Sequence, residues 1–208
     1  RIVNKFGYEL FYASVLEIYE HGEKLVRKSL EKIPDGTYSG FGQMDSNGVD
    51  EGVVKFKISI EVKGSDLILD FTDAPDQQNG PINCPLPSTV SKARVAFSMM
   101  AGNGEQPNEG FFRPLIVKTK KGTMFNPVSP APCFLNGWPG LQVIEVIYRI
   151  LSENLPEAFL GSIGGFFRDY VAPIAIGAIN PGLAAKYSKA KSVYNAAKDD
   201  EENRSIAH

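Results

Sequence analysis

A chain of 208 residues is long enough for one large domain or two small ones, and 43% hydrophobic with 22% charged residues is the composition of a soluble globular protein. A net charge of −2, from 22 basic and 24 acidic residues, leaves no electrostatic footprint for nucleic acid or an anionic membrane. Two cysteines, Cys84 and Cys133, and two histidines, His21 and His208, are too few for a disulfide framework, a four-cysteine zinc site or a three-histidine one.

Cysteine usage this sparse fits a reduced, cytoplasmic compartment. No secretory signal is visible at the start, and the sequence begins at Arg1 without methionine, as a fragment or a processed chain would.

Residues 8–33 place Tyr8, Phe11, Tyr12, Val15, Ile18, Tyr19, Leu25, Val26, Leu30 and Ile33 at three- and four-residue spacing, which predicts one amphipathic helix with a glycine, Gly22, in its middle. Pro34-Asp35-Gly36 ends it in a turn. A short strand is expected around Tyr38 to Gln43, followed by a turn tip at Asn47-Gly48. Val54, Phe56, Ile58, Ile60 and Val62 then alternate with Lys55, Lys57, Ser59 and Glu61, the period of a half-buried strand. "KGSD" turns the chain into a second strand, "LILDF", and the two read as a β-hairpin.

"GPINCPLPST", Gly80 to Thr89, holds three prolines, each of which fixes φ and removes a backbone donor. Ser88 is then the expected N-cap of a helix running to about Met100, ended by Gly102-Asn103-Gly104. "LIVKT" is a further strand, and Lys120, Lys121 and Gly122 turn the chain before "TMF". A second proline-rich loop, "NPVSPAPCFLNGWPG", precedes a helix from about Leu141 to Asn154 with Val143, Ile144, Ile147, Ile150 and Leu151 as its apolar stripe. The expected fold class is α+β, antiparallel β-hairpins packed with helices. Residues 166–187 are apolar but interrupted by Arg168, Asp169, Pro173 and Pro181, too short an unbroken run for a membrane span. They suit a core or a partner surface, and a charged tail follows.

"IPDGTY" (Ile33–Tyr38), "DFT" (Asp70–Thr72), "GPINCPL" (Gly80–Leu86), "NEGFFRP" (Asn108–Pro114) and "NPVSPAP" (Asn126–Pro132) occur in an order and spacing that resembles the hydantoinase B / 5-oxoprolinase family. The resemblance covers residues 4–165 and divides the chain into a partial hydantoinase B-like domain, 1–165, and a divergent segment, 166–208. It implies a subunit of an ATP-dependent enzyme in a hetero-oligomer with a hydantoinase A-type partner. That partner would carry ATP and magnesium and activate an oxygen of a small-molecule substrate by phosphorylation. No nucleotide would bind to this chain alone, and any divalent metal would sit outside it. No G-x-x-x-x-G-K-[ST] phosphate loop is present, in keeping with that division of labour.

Members of the family divide between ATP-dependent ketone carboxylases of the acetone and acetophenone type, which handle a phosphorylated enol, and ATP-dependent hydrolases of cyclic amides such as hydantoins and 5-oxoproline. Where hydantoinase-like members carry a "GN-x-E-T-S" type segment, this chain has "CFLNGWPGLQVIEV". Trp138 offers an aromatic surface there, which suits a ketone or aryl substrate better than a hydrogen-bonding ring amide. The expectation is therefore a ketone carboxylase subunit, with a cyclic-amide hydrolase subunit or a non-catalytic assembly subunit as alternatives.

The substrate-binding candidates are Asn83, Trp138, Glu109 and Arg113. Asn83 either presents its amide to a channel or hydrogen-bonds the turn, and Cys84 beside it is read as a small buried hydrophobe. Trp138 either walls a pocket, plugs an interface or anchors the core under the following helix. Glu109 and Arg113 either pair with each other or meet a carboxylate or phosphate. Asp70 and Asp73 are a carboxylate pair or turn residues, and His21 is a helix-surface residue.

Overall fold

Eight elements follow one another in the computed structural model, which describes residues 1–101 and 107–154: α1 (Ile2–Phe6), α2 (Tyr8–Leu30), β1 (Gly36–Met44), β2 (Val54–Lys63), β3 (Asp66–Asp70), α3 (Leu86–Ala101), β4 (Leu115–Lys118) and α4 (Gly137–Asn154). The helix-ending glycines at 102–104, the segment 166–187, the charged tail and the boundary at 165 lie outside the described residues.

The strands form one sheet in the order β1-β2-β3-β4. β1 and β2 pair antiparallel with Tyr38 opposite Ile60 and Gly42 opposite Phe56, and β2 and β3 pair antiparallel with Ile60 opposite Leu69. β4 lies parallel to β3, with Leu69 opposite Val117. The sheet is therefore mixed, and the expectation of antiparallel hairpins alone gives way at this last pair. Two strands meet in parallel only if the chain crosses over between them, and α3 with its flanking loops makes that crossing.

The period-2 reading of β2 is borne out. Phe56, Ile58, Ile60 and Val62 are all buried, with Leu67, Leu69 and Phe71 continuing the same layer from β3. Burying each such side chain contributes about 1.5–3 kcal/mol. α3 and α4 add Ala93, Ala96, Phe97, Val143, Val146, Ile147 and Ile150 to this core. β1 brings α4 close by having no side chain where the helix arrives. A Cβ on Gly42 would lie 2.3 Å from Phe56 Cζ and 2.8 Å from Val146 Cγ2, and one on Gly40 would lie 2.6 Å from Ile150 Cγ1.

Two helix starts differ from expectation for one reason. Ser88 sits inside α3, which begins at Leu86, and Trp138 sits inside α4, which begins at Gly137. Proline is tolerated in the first turn, where its missing N–H would have had no intrahelical partner, so Pro87 and Pro139 start their helices rather than delay them. The first turn of α3 closes when Thr89 N donates to Pro85 O at 2.9 Å.

The expected helix over 8–33 forms as α2, shorter at its end, with an extra short helix, α1, before it. Gly7, at φ +82°, separates α1 from α2, and α2 stops at Leu30. Only the last third of its apolar stripe is covered: Gly22, Val26 and Leu30 are buried, as is Ile33 beyond the end. Phe11, Tyr12 and Ile18 are exposed. Gly22 is small where Asn108 packs, since a Cβ there would lie 2.6 Å from Asn108 Oδ1.

Candidate functional site

The two proline-rich loops are fastened together through Asn83. Its side chain is fully buried. Asn83 Oδ1 accepts from Gln78 N at 2.7 Å, and Nδ2 donates to the carbonyls of Gln78 (2.8 Å), Gly80 (3.1 Å) and Pro132 (2.9 Å). Leu135 N donates to Pro81 O at 2.8 Å, a second tie between the same loops. Thr89 Oγ1 adds a third anchor by donating to Phe125 O at 2.8 Å. The stiffness of "GPINCPLPST" thus fixes one loop against the other and carries the start of α4. Cys84 is fully buried, and its N–H donates to Met124 O at 2.7 Å. Burial, and then the nearby Cys84, push the Cys133 thiol up, which disfavours the thiolate that a nucleophile needs.

Trp138 follows these loops in the first turn of α4 and is 63% exposed, so it does not anchor the core. Phe134, Leu135 and Leu141 are exposed around it. Trp138, Gln142, Glu145 and Arg149 are spaced four, three and four apart, which puts them on one face of α4.

Three of those four residues line a cleft of about 670 Å³ with Phe41, Gly42, Gln43, Asp45 and Lys55. The cleft lies along the β1 edge of the sheet, where, among the described residues, β1 has a neighbour strand on one side only. Arg149 reaches across it and donates to the carbonyl of Phe41. Gln142 Nε2 donates to Glu145 Oε2 at 3.0 Å. Asp45 and Glu145 oppose Lys55 and Arg149 in charge, and Gln43 and Gln142 add amides. Such a lining offers donors and acceptors together, the requirement for holding a polar amide or a short zwitterion.

Glu109 and Arg113 do not pair with each other. Glu109 takes a bidentate pair of hydrogen bonds from Arg94 of α3 at 2.9 and 3.0 Å, and Arg94 also lies 4.6 Å above the Phe112 ring. Arg113 donates to Glu23 of α2 at 2.9 Å and lies 5.9 Å from the Tyr19 ring centre. Each is drawn to a helix that the fold brings to the loop, and together they latch the loop to α2 and α3. Glu23 also accepts from Arg27 at 2.9 Å, and Arg27 reaches Asp66 at 2.8 Å. The guanidinium of Arg113, and after it that of Arg27, hold the Glu23 carboxyl below its ordinary range.

The carboxylates at the end of β3 also separate. Asp70 Oδ1 caps its own turn, accepting from Thr72 N and Thr72 Oγ1 at 2.8 and 2.6 Å, while Asp73 pairs with Lys57 at 3.1 Å. His21 is exposed on α2. Of the four candidates, none lines the cleft: Asn83 is inside the paired loops, Glu109 and Arg113 are on the latch, and Trp138 is one turn before Gln142. Sequence reasoning missed the cleft residues. The only signal for them was the polar spacing that runs from Trp138 through Arg149. Among the described residues no group of three or more His, Cys, Asp and Glu could hold a metal ion, and no helix is long and apolar enough to cross a membrane.

Known proteins share this fold. The chain is 31% identical over 175 residues to the B-type component of a putative D-/L-hydantoinase of Pseudomonas sp. (strain NS671), covering 78% of this chain and 29% of that protein. It is 25% identical over 167 residues to the beta chain of the caprolactamase of Pseudomonas jessenii, covering 78% and 28%. In structure it resembles the ATP-dependent caprolactamase of Pseudomonas jessenii, with a TM-score of 0.68 at 24% identity over 76% of this chain and 27% of that one. It also resembles acetone carboxylase in a nucleotide-free structure, with a TM-score of 0.61 at 20% identity over 73% and 22%. The chain spans less than a third of the length of each of these relatives. Residues 1–172 match the family Hydantoinase B/oxoprolinase, and the chain belongs to that family.

Proposed function

We propose that the chain serves in the B-type part of an ATP-dependent enzyme that opens a cyclic amide, beside an A-type subunit that carries ATP. The observation that carries this reading is the likeness, over 78% of the chain, to two proteins named for hydantoin and caprolactam. The cleft supports it: a ring amide needs one donor and one acceptor side by side, and Arg149, Lys55, Gln142 and Glu145 supply both. The aromatic wall that favoured a ketone substrate loses its force, because Trp138 is exposed and outside the cleft lining. In this reading Gln142, Glu145 and Arg149 orient the substrate amide, Asn83 positions the start of α4 through the loops, and Trp138 lies at the rim where a second subunit would close the site.

The test uses the chain tagged in its own cells and purified with whatever subunits accompany it. ADP release that depends on hydantoin, 5-oxoproline or a lactam, without bicarbonate, is the expected result. ADP release that requires acetone or another ketone together with bicarbonate would sink the amide reading and reinstate the carboxylase. The purified chain alone is expected to hydrolyse no ATP, so turnover by it that a point substitution abolishes would contradict the assignment of ATP to a partner.

A further inference from the structure

The cleft between β1 and α4 carries more charge than a ring amide can use. A ring amide is neutral, and one donor and one acceptor satisfy it. The helix wall already commits part of its polar groups, since Gln142 Nε2 donates to Glu145 Oε2 at 3.0 Å and Arg149 donates to the Phe41 carbonyl. The strand wall holds Gln43 and Lys55, opposite each other on β1 and β2, and Asp45 just beyond the end of β1. Among the described residues, Asp45 and Lys55 have no hydrogen-bond or ion-pair partner, and they do not pair with each other.

Nearby groups of the same kinds are engaged. Lys57, two residues on and on the same face of β2, pairs with Asp73 at 3.1 Å. Asp50 accepts from Asn47 and Asn79 at 2.8 and 3.1 Å. An uncommitted cation and an uncommitted anion are therefore left in one cavity.

Opening a ring amide creates the charges that would match them. The C–N bond breaks, and the carbonyl carbon takes the oxygen of water and becomes a carboxylate. A lactam nitrogen takes both protons of that water and becomes an ammonium, so a neutral ring turns into a zwitterion. A hydantoin nitrogen takes one proton and ends a neutral ureido group, the other proton going to solvent, so that product carries a single negative charge.

We propose that the cleft is complementary to a ring-opened amino acid zwitterion, with Lys55 on its carboxylate and Asp45 on its ammonium, so that the product competes with the ring and restrains turnover. This assignment rests on the ring-opening reaction proposed above and narrows its substrates to rings that release an amine.

Calorimetric titration of the purified complex without ATP tests the ligand class apart from turnover. The probes are 5-aminopentanoate, its closed ring 2-piperidone, and pentanoate and pentylamine, which keep one charge each. The zwitterion should bind about 5- to 20-fold more tightly than the other three, as two ion pairs in an open cleft allow. Added salt should weaken the zwitterion and leave 2-piperidone unchanged. Asp45→Asn should reduce the zwitterion to the affinity of pentanoate, and Lys55→Met should reduce it to that of pentylamine. Both residues are exposed, so melting should stay at the parent value. In ADP release driven by 2-piperidone, 5-aminopentanoate should inhibit competitively, with an inhibition constant below the KM of the ring. A zwitterion that binds no better than the single-charge probes, or that keeps its advantage in both variants, overturns the proposal while ADP release driven by a ring amide still upholds the reaction. N-carbamoylglycine bound as tightly as 5-aminopentanoate overturns the role of the ammonium. Zwitterion-selective binding in a complex that releases ADP only with a ketone and bicarbonate overturns the product assignment together with the reaction.

Discussion

Asn83 Nδ2 donates to Pro132 O at 2.9 Å, joining two loops that lie 49 residues apart in the chain. The Asn83 side chain is fully buried, and the same amide also serves Gln78 and Gly80. Asn83→Ala should destabilise by about 2–4 kcal/mol, because four backbone groups, one of them in a fully buried bond, lose their partner at once. Asn83→Asp should recover little of that, since a carboxylate cannot donate. Urea unfolding of the three proteins is the measurement. An Asn83→Asp variant as stable as the parent would mean that the donated bonds contribute nothing.

Gly42→Ala should destabilise by about 1–3 kcal/mol, the range for overpacking a filled core. The added methyl would lie 2.3 Å from the Phe56 ring and 2.8 Å from Val146, so the Phe56 ring must shift and α4 give way at Val146. Because the cleft lies between the same two elements, ligand affinity should fall together with the melting temperature. A melting temperature equal to the parent's would refute the close approach.

Trp138→Ala should leave folding stability within about 0.5 kcal/mol of the parent, as substitutions of exposed residues usually do. A loss of about 3 kcal/mol, typical of a removed core aromatic, would contradict the exposed placement. In the assembled complex the same variant should raise KM for substrate or weaken subunit association, with little change in kcat.

Glu23 gives the stability a pH dependence of known sign. Its folded carboxyl titrates below the ordinary value of 4.5 because Arg113 and Arg27 hold it ionised. Its contribution is therefore fully present above about pH 4.5 and is lost as the pH falls through the lower folded value. Glu23→Gln removes the titrating group, so the melting temperature of the variant should fall less steeply than the parent's below pH 4.5. The gap between the two proteins should narrow on acidification. Parallel curves would show that the ion pairs add no pH-dependent stability.

The elements legible in the sequence were those whose signal is local. β2 alternates residue by residue, and its partners β1 and β3 follow from the turns around Asn47-Gly48 and Lys63-Gly64. The direction of β4 was not legible, because a strand's alternation is the same whichever way its neighbour runs. The α2 stripe was legible, but not its two fates. The same spacing serves a face that packs on the core, as at Val26 and Leu30, and one that remains open, as at Phe11 and Ile18. Glu109 and Arg113 are neighbours in the chain, yet their partners Arg94 and Glu23 come from different helices, which charge alone cannot choose between. The cleft draws on β1, β2 and α4, so only tertiary structure assembles it.

β1 is the first strand of the sheet and α4 the last described helix, and it is α4 that fills the space over Gly40 and Gly42. A ribosome delivers β1 more than ninety residues before the helix that will cover it. Until residues 137–154 have left the exit tunnel, Phe56 lies beneath two glycines with no lid, and the outer edge of the sheet has no Arg149 to occupy the Phe41 carbonyl. An uncovered apolar layer beside an open strand edge is what aggregation templates use. A stop codon placed before residue 137 should therefore yield an insoluble product rather than a smaller folded one.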